Sequence, residues 1–196
     1  MQITSLTLGP LETNCYIVSA DGSDEAIVID PAARGDRIRA ALGSKKAAAV
    51  LLTHGHFDHT GALAEFSGCP SYIHPLDAPM LSDPRLSLAG MVGDRSPRPA
   101  ATNHVQDGDL LTLAGLEVRV FHTPGHTPGG VCYLIGDTLF TGDTMFRGSC
   151  GRTDFPGGDY ATEMRSIRRL LALPDDHPVC PGHGPGTSLS RERAYY

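Results

Sequence analysis

The feature that most constrains this chain is a cluster of histidine and aspartate side chains directly after a predicted strand. The apolar run from Ala48 to Thr53 is followed by His54-Gly55-His56-Phe57-Asp58-His59, so four potential metal ligands lie close together in the sequence. A helix would spread these side chains around its axis, whereas a glycine-containing turn at a strand end can aim them at one place. Packing alone does not require this combination, and the run therefore indicates metal binding.

Three further candidate ligands lie downstream, each in a glycine-containing turn after a predicted strand. They are His126 in TPGHTPG, Asp143 in FTGDT and His183 in PGHG. Glycine lets the backbone bend sharply beside a ligand and brings strand ends to one rim. Each turn alone is common, but together they complete two ligand sets. The sets are His54, His56 and His126 for one ion and Asp58, His59 and His183 for a second, with Asp143 as a carboxylate bridging them.

The residue types predict the chemistry that such a site would support. Two divalent ions about 3.5 to 4 Å apart would share a water or hydroxide, whose pKa would fall from about 15.7 toward about 7. One ion could also polarise a substrate carbonyl and stabilise the developing oxyanion. The carboxylates of Asp58 and Asp143 are therefore predicted to be catalytic as well as metal-ligating. Zinc is the first expectation for both ions, and iron or manganese also accept these ligands.

Strand-like segments outnumber helical ones along the chain. A length of 196 residues predicts one domain over 1–196, because domains usually contain about 100 to 200 residues. Short strands interrupted by fewer helices predict an α/β or α+β class in which helices cover sheets. The predicted strands are 15–19, 26–30, 48–53, 116–122, 131–135 and 138–141, and the predicted helices are 35–42, 59–66 and 159–173.

Two segments carry more specific expectations. Asp159 is predicted to cap the last helix, with Tyr160, Met164, Ile167 and Leu171 forming its apolar stripe. Residues 83–102 contain several prolines and glycines without a helical or strand period, which predicts a loop excursion near the site. The remaining histidines are expected to be surface or core residues and not ligands: His74, His104, His122 and His177.

Composition and charge exclude several functional classes. The formal net charge of −6, with no basic run, argues against nucleic acid as a partner. No apolar run approaches the roughly 20 residues of a membrane span, and the first residues lack a signal-peptide pattern, so a cytoplasmic protein without membrane contact is expected. Five cysteines without a C-x-x-C pair predict no disulfide framework. A homo-oligomer is compatible with this composition.

The ligand run and its three downstream partners resemble the metallo-β-lactamase superfamily from His54 to His183. The resemblance implies an αβ/βαα sandwich, in which two mixed β-sheets lie face to face, helices cover the outer faces and the metal site lies at one edge. Asp143 stands where the best-known zinc β-lactamases often carry a cysteine. The segment Gly148 to Asp159 is similar to that of small, single-domain type II glyoxalases.

The resemblance implies a hydroxyacylglutathione hydrolase-like enzyme that cleaves a small-molecule thioester by attack of a metal-bound hydroxide. A variant of the Gly151-Arg152-Thr153-Asp154-Phe155 segment also occurs in persulfide dioxygenases. In that alternative, a single ferrous ion would be held by only His54, His126 and Asp143, with open positions for dioxygen and a persulfide. A lactonase is a third possibility, which the 148–159 segment disfavours.

Three residues outside the ligand set are predicted to support the site. Arg152 matches a basic position near the thiol tail of the substrate and could pair with its carboxylate. A salt bridge of Arg152 with Asp154 or Asp159 is the alternative. By the same resemblance, Asp30 is expected to orient the ligand loop and Thr141 to support Asp143.

Overall fold

The computed structural model describes residues 1–196 and consists of two six-stranded mixed sheets. Within each sheet, strands that follow one another in the chain are also neighbours in space. The chain changes sheets once, between β6 and β7. The first sheet contains β1 (Gln2–Leu8), β2 (Thr13–Ser19), β3 (Glu25–Ile29), β4 (Lys46–Leu51), β5 (Ser71–Ile73) and β6 (Asn103–His104). The second contains β7 (Leu110–Leu113), β8 (Leu116–His122), β9 (Val131–Ile135), β10 (Thr138–Gly142), β11 (Pro178–Pro181) and β12 (Thr187–Ser188).

The alternation of side chains along β2 shows how the first sheet is buried on both faces. Cys15 and Ile17 point to one face and pack with the helical layer that contains α1 (Gly35–Leu42). Tyr16 and Val18 point to the other face and pack against the second sheet. Successive strand residues face opposite sides, so a strand that is apolar at every position needs a layer on each side.

The second sheet is covered on its outer face by α4 (Tyr160–Leu171) and α5 (Leu189–Glu192). The side chain of Asp159 accepts a hydrogen bond from Thr162 N at 2.8 Å, so the predicted N-cap is confirmed. The predicted apolar stripe is confirmed for Met164, Ile167 and Leu171, which pack in the core beneath the sheet. It is wrong for Tyr160, which is 63% exposed, and the polar Glu163 and Ser166 are buried on the same face. These two polar side chains face the core because they bond to the loop that carries His126.

The segment predicted as a helix over 59–66 is divided into two short pieces. They are α2 (Phe57–Thr60) and a 3₁₀ turn (Leu63–Phe66). The break occurs because Ala62 N donates to Pro31 O at 2.9 Å instead of continuing the helical pattern. A side chain at Gly61 would overlap the carbonyl of Ala32, so the backbone approaches the β3–α1 connection closely.

The segment 83–102 contains one short helix, α3 (Ala89–Val92), and packs against α2. Ser87 O accepts from Phe57 N at 2.9 Å. The guanidinium of Arg98 donates to Thr60 Oγ1 at 2.8 Å and to Phe57 O at 3.0 Å. The segment thereby lies beside the helix that carries two of the predicted ligands.

The predicted class and the αβ/βαα sandwich are confirmed by these layers. The sequence reading did not identify β1, β5, β6, β7, β11 or β12, of which three have two or three residues. No helix in the structure combines the length and the apolar character needed to cross a bilayer.

Candidate metal centre

The predicted ligands meet at one edge of the sandwich, where several strands end. The run from His54 to His59 follows β4, His126 lies between β8 and β9, Asp143 follows β10, and His183 follows β11. The start of β2 holds the loop that carries His183, because Asn14 Nδ2 donates hydrogen bonds to the carbonyls of Pro181 and Gly184. Three groups have ligand atoms within 4.8 Å of one another: His54, His56 and His126; His54, His59 and Asp143; and Asp58, His59 and His183.

The first group consists of three buried imidazoles. His56 Nδ1 lies 2.9 Å from His126 Nε2. His54 Nε2 is buried without any hydrogen-bond partner in the protein. A buried imidazole nitrogen without a partner is costly unless it binds something else, so this atom fits a metal ligand.

The group of Asp58, His59 and His183, called the second group from here on, combines a carboxylate with two imidazoles. Asp58 Oδ2 lies 3.4 Å from His59 Nε2 and 3.2 Å from His183 Nε2. Asp143 lies between the groups, since Oδ1 is 3.3 Å from His59 Nε2 and Oδ2 is 3.5 Å from His126 Nε2. The side chain of Asp143 is only 11% exposed, and its Oδ1 has no hydrogen-bond partner. This placement agrees with a bridging carboxylate.

Four imidazoles are fixed through Nδ1, which leaves Nε2 facing the centre. The Nδ1 atom of His126 lies 2.7 Å from Arg152 O, and that of His183 lies 3.0 Å from Leu11 O. The Nδ1 atoms of His54 and His59 contact Thr53 Oγ1 at 3.1 Å and Asp30 Oδ2 at 2.9 Å. A bond from Nδ1–H to an acceptor fixes the tautomer with the Nε2 lone pair free, as metal coordination requires.

The charges within the site favour a cation. Burial lowers the pKa of His54 well below its ordinary range, and burial with the nearby His126 lowers the pKa of His56 to about 3, so both rings stay neutral. Burial alone would raise the pKa of Asp143, but His59 and the other imidazoles lower it to about 2. Burial also opposes a charge on His59, yet the surrounding carboxylates raise its pKa. Neutral imidazoles and ionised carboxylates are the states that bind divalent metals, and His54, His56 and Asp143 are already in them. His59 instead carries a proton in the metal-free site, which a bound ion would have to displace.

Asp30 lies against the start of the ligand run, where the family resemblance placed it. It is 1% exposed and has positive φ (48°) directly after β3. Its Oδ1 accepts from Thr53 N at 2.8 Å, and its Oδ2 accepts from Thr53 Oγ1 at 2.6 Å and contacts His59 Nδ1. One carboxylate therefore fixes both the start of the ligand run and the orientation of His59.

Thr141 does not contact Asp143 as predicted, and Arg152 forms the salt bridge with Asp154 that was the predicted alternative to substrate binding. Thr141 Oγ1 donates to Met145 O at 2.8 Å and not to Asp143, so this hydroxyl stabilises the turn after β10 rather than the ligand itself. The guanidinium of Arg152 forms two hydrogen bonds to Asp154 and lies 4.1 Å from the Phe155 ring. What Arg152 contributes to the ligand set is its backbone carbonyl, which a sequence motif does not reveal.

Two buried carboxylates behind the ligand loops escaped the sequence analysis. Glu163 Oε2 accepts from His126 N at 2.8 Å, and burial raises the pKa of this carboxyl to about 8. Asp77 accepts hydrogen bonds from Gly55 N, Thr127 Oγ1 and Gly129 N. The sequence carried no signal for Asp77, and for Glu163 the available signal was its position beside the predicted apolar stripe of the helix.

Two glycines bring backbone against the ligands. A side chain at Gly182 would overlap Asp143 Oδ1, and a side chain at Gly151 would overlap the carbonyl of Asp143 and the ring of His126. Gly151 N also donates to Asp143 O at 2.8 Å, and Gly182 N donates to Gly142 O at 2.7 Å. Only glycine allows this approach without displacing a ligand.

A cavity of about 430 Å³ opens above the ligands. The ligand side chains form its floor, and most of the walls are apolar. Met91 and Leu11 are 74% and 50% exposed at its mouth. The apolar wall residues are Leu11, Phe57, Leu88, Met91, Val92, Phe146 and Phe155.

Comparison with known proteins agrees with this geometry. A family model described as the metallo-beta-lactamase superfamily matches residues 8–183. The chain belongs to the metallo-β-lactamase superfamily. An uncharacterized protein of Mycobacterium leprae (strain TN) is 39% identical, with 100% of this chain and 97% of that protein covered. The hydroxyacylglutathione hydrolase GloC of Haemophilus influenzae (strain ATCC 51907) is 31% identical, with 98% and 95% covered.

Solved structures of the superfamily have the same architecture. The BLEG-1 B3 metallo-beta-lactamase superposes with a TM-score of 0.92 at 35% identity, covering 98% of this chain and 97% of that one. TTHA1623 in a di-iron-bound form gives 0.85 at 40% identity, covering 97% and 96%. ETHE1 from Myxococcus xanthus gives 0.82 at 29% identity, covering 100% and 83%. The chain is thus a metallo-hydrolase of this superfamily with a divalent metal centre built from histidine and aspartate.

Proposed function

We propose that this metallo-hydrolase cleaves thioesters at a centre of two divalent ions, with zinc as the first expectation. The observation that carries the proposal is the completeness of both ligand groups, which share Asp143 between them. The 31% identity to a hydroxyacylglutathione hydrolase supports the thioester class. When bound, the two ions supply a hydroxide nucleophile at neutral pH and positive charge for the developing oxyanion.

The residues of the chain would divide the work. His54, His56 and His126 would hold one ion, and Asp58, His59 and His183 the other, with Asp143 contacting both. Asp58 Oδ2 is already bound by Thr13 Oγ1 at 2.8 Å, which fixes its rotamer. Because these ligands are already held in place, they would not have to rearrange as charge develops in the transition state.

The cavity above the ligands favours a substrate with an apolar portion. Phe57, Met91 and Phe155 line walls that a bound acyl or thiol group would contact. Burying about 40 Å² of substrate surface there would contribute about 1 kcal/mol. We also place Arg152, which lines the same cavity, next to a carboxylate of the thiol portion. That contact requires the guanidinium to exchange Asp154 for the substrate, so its net contribution is small.

A mononuclear iron dioxygenase acting on a persulfide is the second candidate. The likeness to ETHE1 fits it. TTHA1623, in its di-iron-bound form, holds two ions and fits the two-ion centre instead. In the dioxygenase candidate only His54, His126 and Asp143 would hold the ion, while His56, Asp58, His59 and His183 would stay metal-free. The ligand residues are common to both candidates. The flanks Ser149-Cys150-Gly151 and Pro156-Gly157-Gly158-Asp159 favour the hydrolase, because they resemble those of the small type II glyoxalases more than those of the dioxygenases.

Metal analysis with two activity assays separates the candidates. We expect two ions per chain and cleavage of S-D-lactoylglutathione, without persulfide-dependent oxygen uptake. One iron per chain with oxygen uptake and no thioester cleavage would reject the hydrolase.

The variant His183→Ala provides a matched test, because only the two-metal enzyme needs this side chain. We expect loss of one ion and a fall in thioester kcat/KM of about 100-fold or more. If the variant keeps its full metal content and full activity, the second ion has no role in the reaction.

A further inference from the structure

The turn after β5 places a carboxylate behind the first ligand group. Asp77 is fully buried and begins the 3₁₀ segment Ala78–Leu81. Its Oδ2 accepts from Thr127 Oγ1 at 2.7 Å and from Gly55 N at 3.1 Å, and its Oδ1 accepts from Gly129 N at 2.6 Å. All three donors are uncharged, and Asp77 forms no salt bridge.

The position of these donors in the chain gives the carboxylate its significance. Gly55 lies between His54 and His56, and Thr127 directly follows His126. One side chain therefore joins the two loops that supply all three ligands of the first group. The two loops are separated by about 70 residues of chain, since the contact of His56 with His126 spans 70 positions.

The loops are shaped to reach this carboxylate. A Cβ at Gly129 would lie 2.6 Å from both Asp77 N and Oδ1. A Cβ at Gly55 would lie 2.5 Å from Met80 Cβ, in the same 3₁₀ segment. A buried carboxylate without a cation costs free energy, which three convergent hydrogen bonds offset in part. Loop packing alone would not require a charged group here.

We propose that Asp77 is a positioning residue for the first metal site, selectively over the second. It would hold His54, His56 and His126 at the mutual spacing that one ion requires. Asp30 performs the corresponding task on the other side, where its Oδ2 contacts His59. This inference rests on the two-site assignment under the proposed function, but it concerns metal affinity and is independent of which substrate the enzyme cleaves.

The test uses two background variants, each of which keeps one of the two metal sites intact. His183→Ala weakens the second site and keeps the first ligand group, whereas His126→Ala does the reverse. Zinc affinity is measured in each background, with and without Asp77→Asn, by competition with a chromogenic chelator. Asparagine keeps the shape of Asp77 but turns one acceptor into a donor, which opposes the N–H groups that the carboxylate binds.

We expect Asp77→Asn to weaken zinc binding by about 10- to 100-fold in the His183→Ala background and by less than about 3-fold in the other. Thr127→Val removes a single hydrogen bond and should give a smaller loss with the same selectivity. The melting temperature of each metal-free protein is measured as well, and the substitution at Asp77 should shift it equally in both backgrounds.

Equal losses in the two backgrounds, or unchanged first-site affinity, would overturn the proposal. Asp77 would then be a structural residue of the turn. If His183→Ala without further change binds no zinc, the first ligand group is not a site, and the two-site assignment falls together with this inference.

Discussion

The floor of the cavity and its walls are built in different ways. Floor residues are held by several bonds each: His126, for example, is almost fully buried and bonds to the carboxylate of Glu163 and to the carbonyl of Arg152. Wall residues have few constraints, as Met91 is 74% exposed and Arg152 is paired only with an exposed neighbour. The difference indicates that the floor fixes the chemistry, whereas the walls influence only which substrate reaches it.

The largest expected effect is on the floor, at the carboxylate between the ligand groups. Asp143→Ala should reduce thioester kcat/KM by about 10³-fold or more, because both ions lose a ligand and the loops lose their shared contact. Metal content should fall with it, as measured by plasma emission spectrometry. Asp154→Ala is the matched wall variant, with an expected change below about 3-fold. An active Asp143→Ala enzyme would refute the bridging role.

A second comparison separates a direct support from an indirect one. Asp30→Asn should lower metal affinity by about 10- to 100-fold, since the carboxylate orients His59. Thr141→Val should leave affinity unchanged and cost about 1 kcal/mol of stability, because its hydroxyl bonds to Met145 O. Chelator competition and urea unfolding measure the two quantities. Equal affinity losses would show that the turn after β10 controls the ligands as strongly as Asp30 does.

The buried carboxyl of Glu163, which bonds to the loop of His126, makes the stability of the protein depend on pH. Its carboxyl pKa is raised to about 8 by burial, from an ordinary value of 4.5. Between these values the folded protein holds a proton that the unfolded chain releases, so the stability contributed by this group falls as pH rises. Metal-free Glu163→Gln should therefore gain about 1–2 kcal/mol over the wild type at pH 8 relative to pH 5. A pH-independent difference in urea unfolding would contradict this assignment.

The walls should respond more weakly and according to the substrate. Met91→Ser should lower kcat/KM for a thioester with a long apolar acyl chain by about 5-fold, through lost apolar contact. For the lactoyl thioester of the same thiol the change should be negligible. A loss of equal size for both substrates would place Met91 in control of the reaction centre rather than of substrate choice.

The smallest effect is expected at the charged edge of the wall. Arg152→Ala should raise KM for a glutathione thioester by about 3-fold with unchanged kcat, because the guanidinium gives up Asp154 to bind the substrate. Arg147→Ala is the control, since that guanidinium bonds to the carbonyl of Gly186. A change in kcat would indicate that the hydrogen bond from His126 Nδ1 to the Arg152 carbonyl is disturbed.

The sequence was sufficient for the parts of the molecule whose signal is local. The ligand run, the strand before it and the N-cap Asp159 follow from residues that are adjacent in the chain. Edge strands such as β6 escaped because two residues give no period. The apolar stripe of α4 was correct except at Tyr160, and the burial of Glu163 beside it was missed because its bond to His126 spans 37 positions.

The supporting residues show the same limit within the site. The expectation for Asp30 came from the family resemblance, whereas Asp77 lies in a turn with no motif around it. The carbonyl of Arg152 and the hydroxyl of Thr141 take roles that side-chain identity cannot indicate. Contacts between distant loops depend on the folded structure. The sequence shows that these polar residues are present but does not indicate which groups they bond to.

The glycines pressed against Asp143 also bear on how this enzyme can diversify. Gly151 and Gly182 leave no volume for a side chain beside the ligand, so mutational paths that pass through these positions lose the metal centre first. Exposed positions such as Leu11 and Met91 have no such barrier. New specificities should therefore arise by drift at the mouth, while the floor is inherited unchanged, and laboratory evolution would be best directed at the mouth.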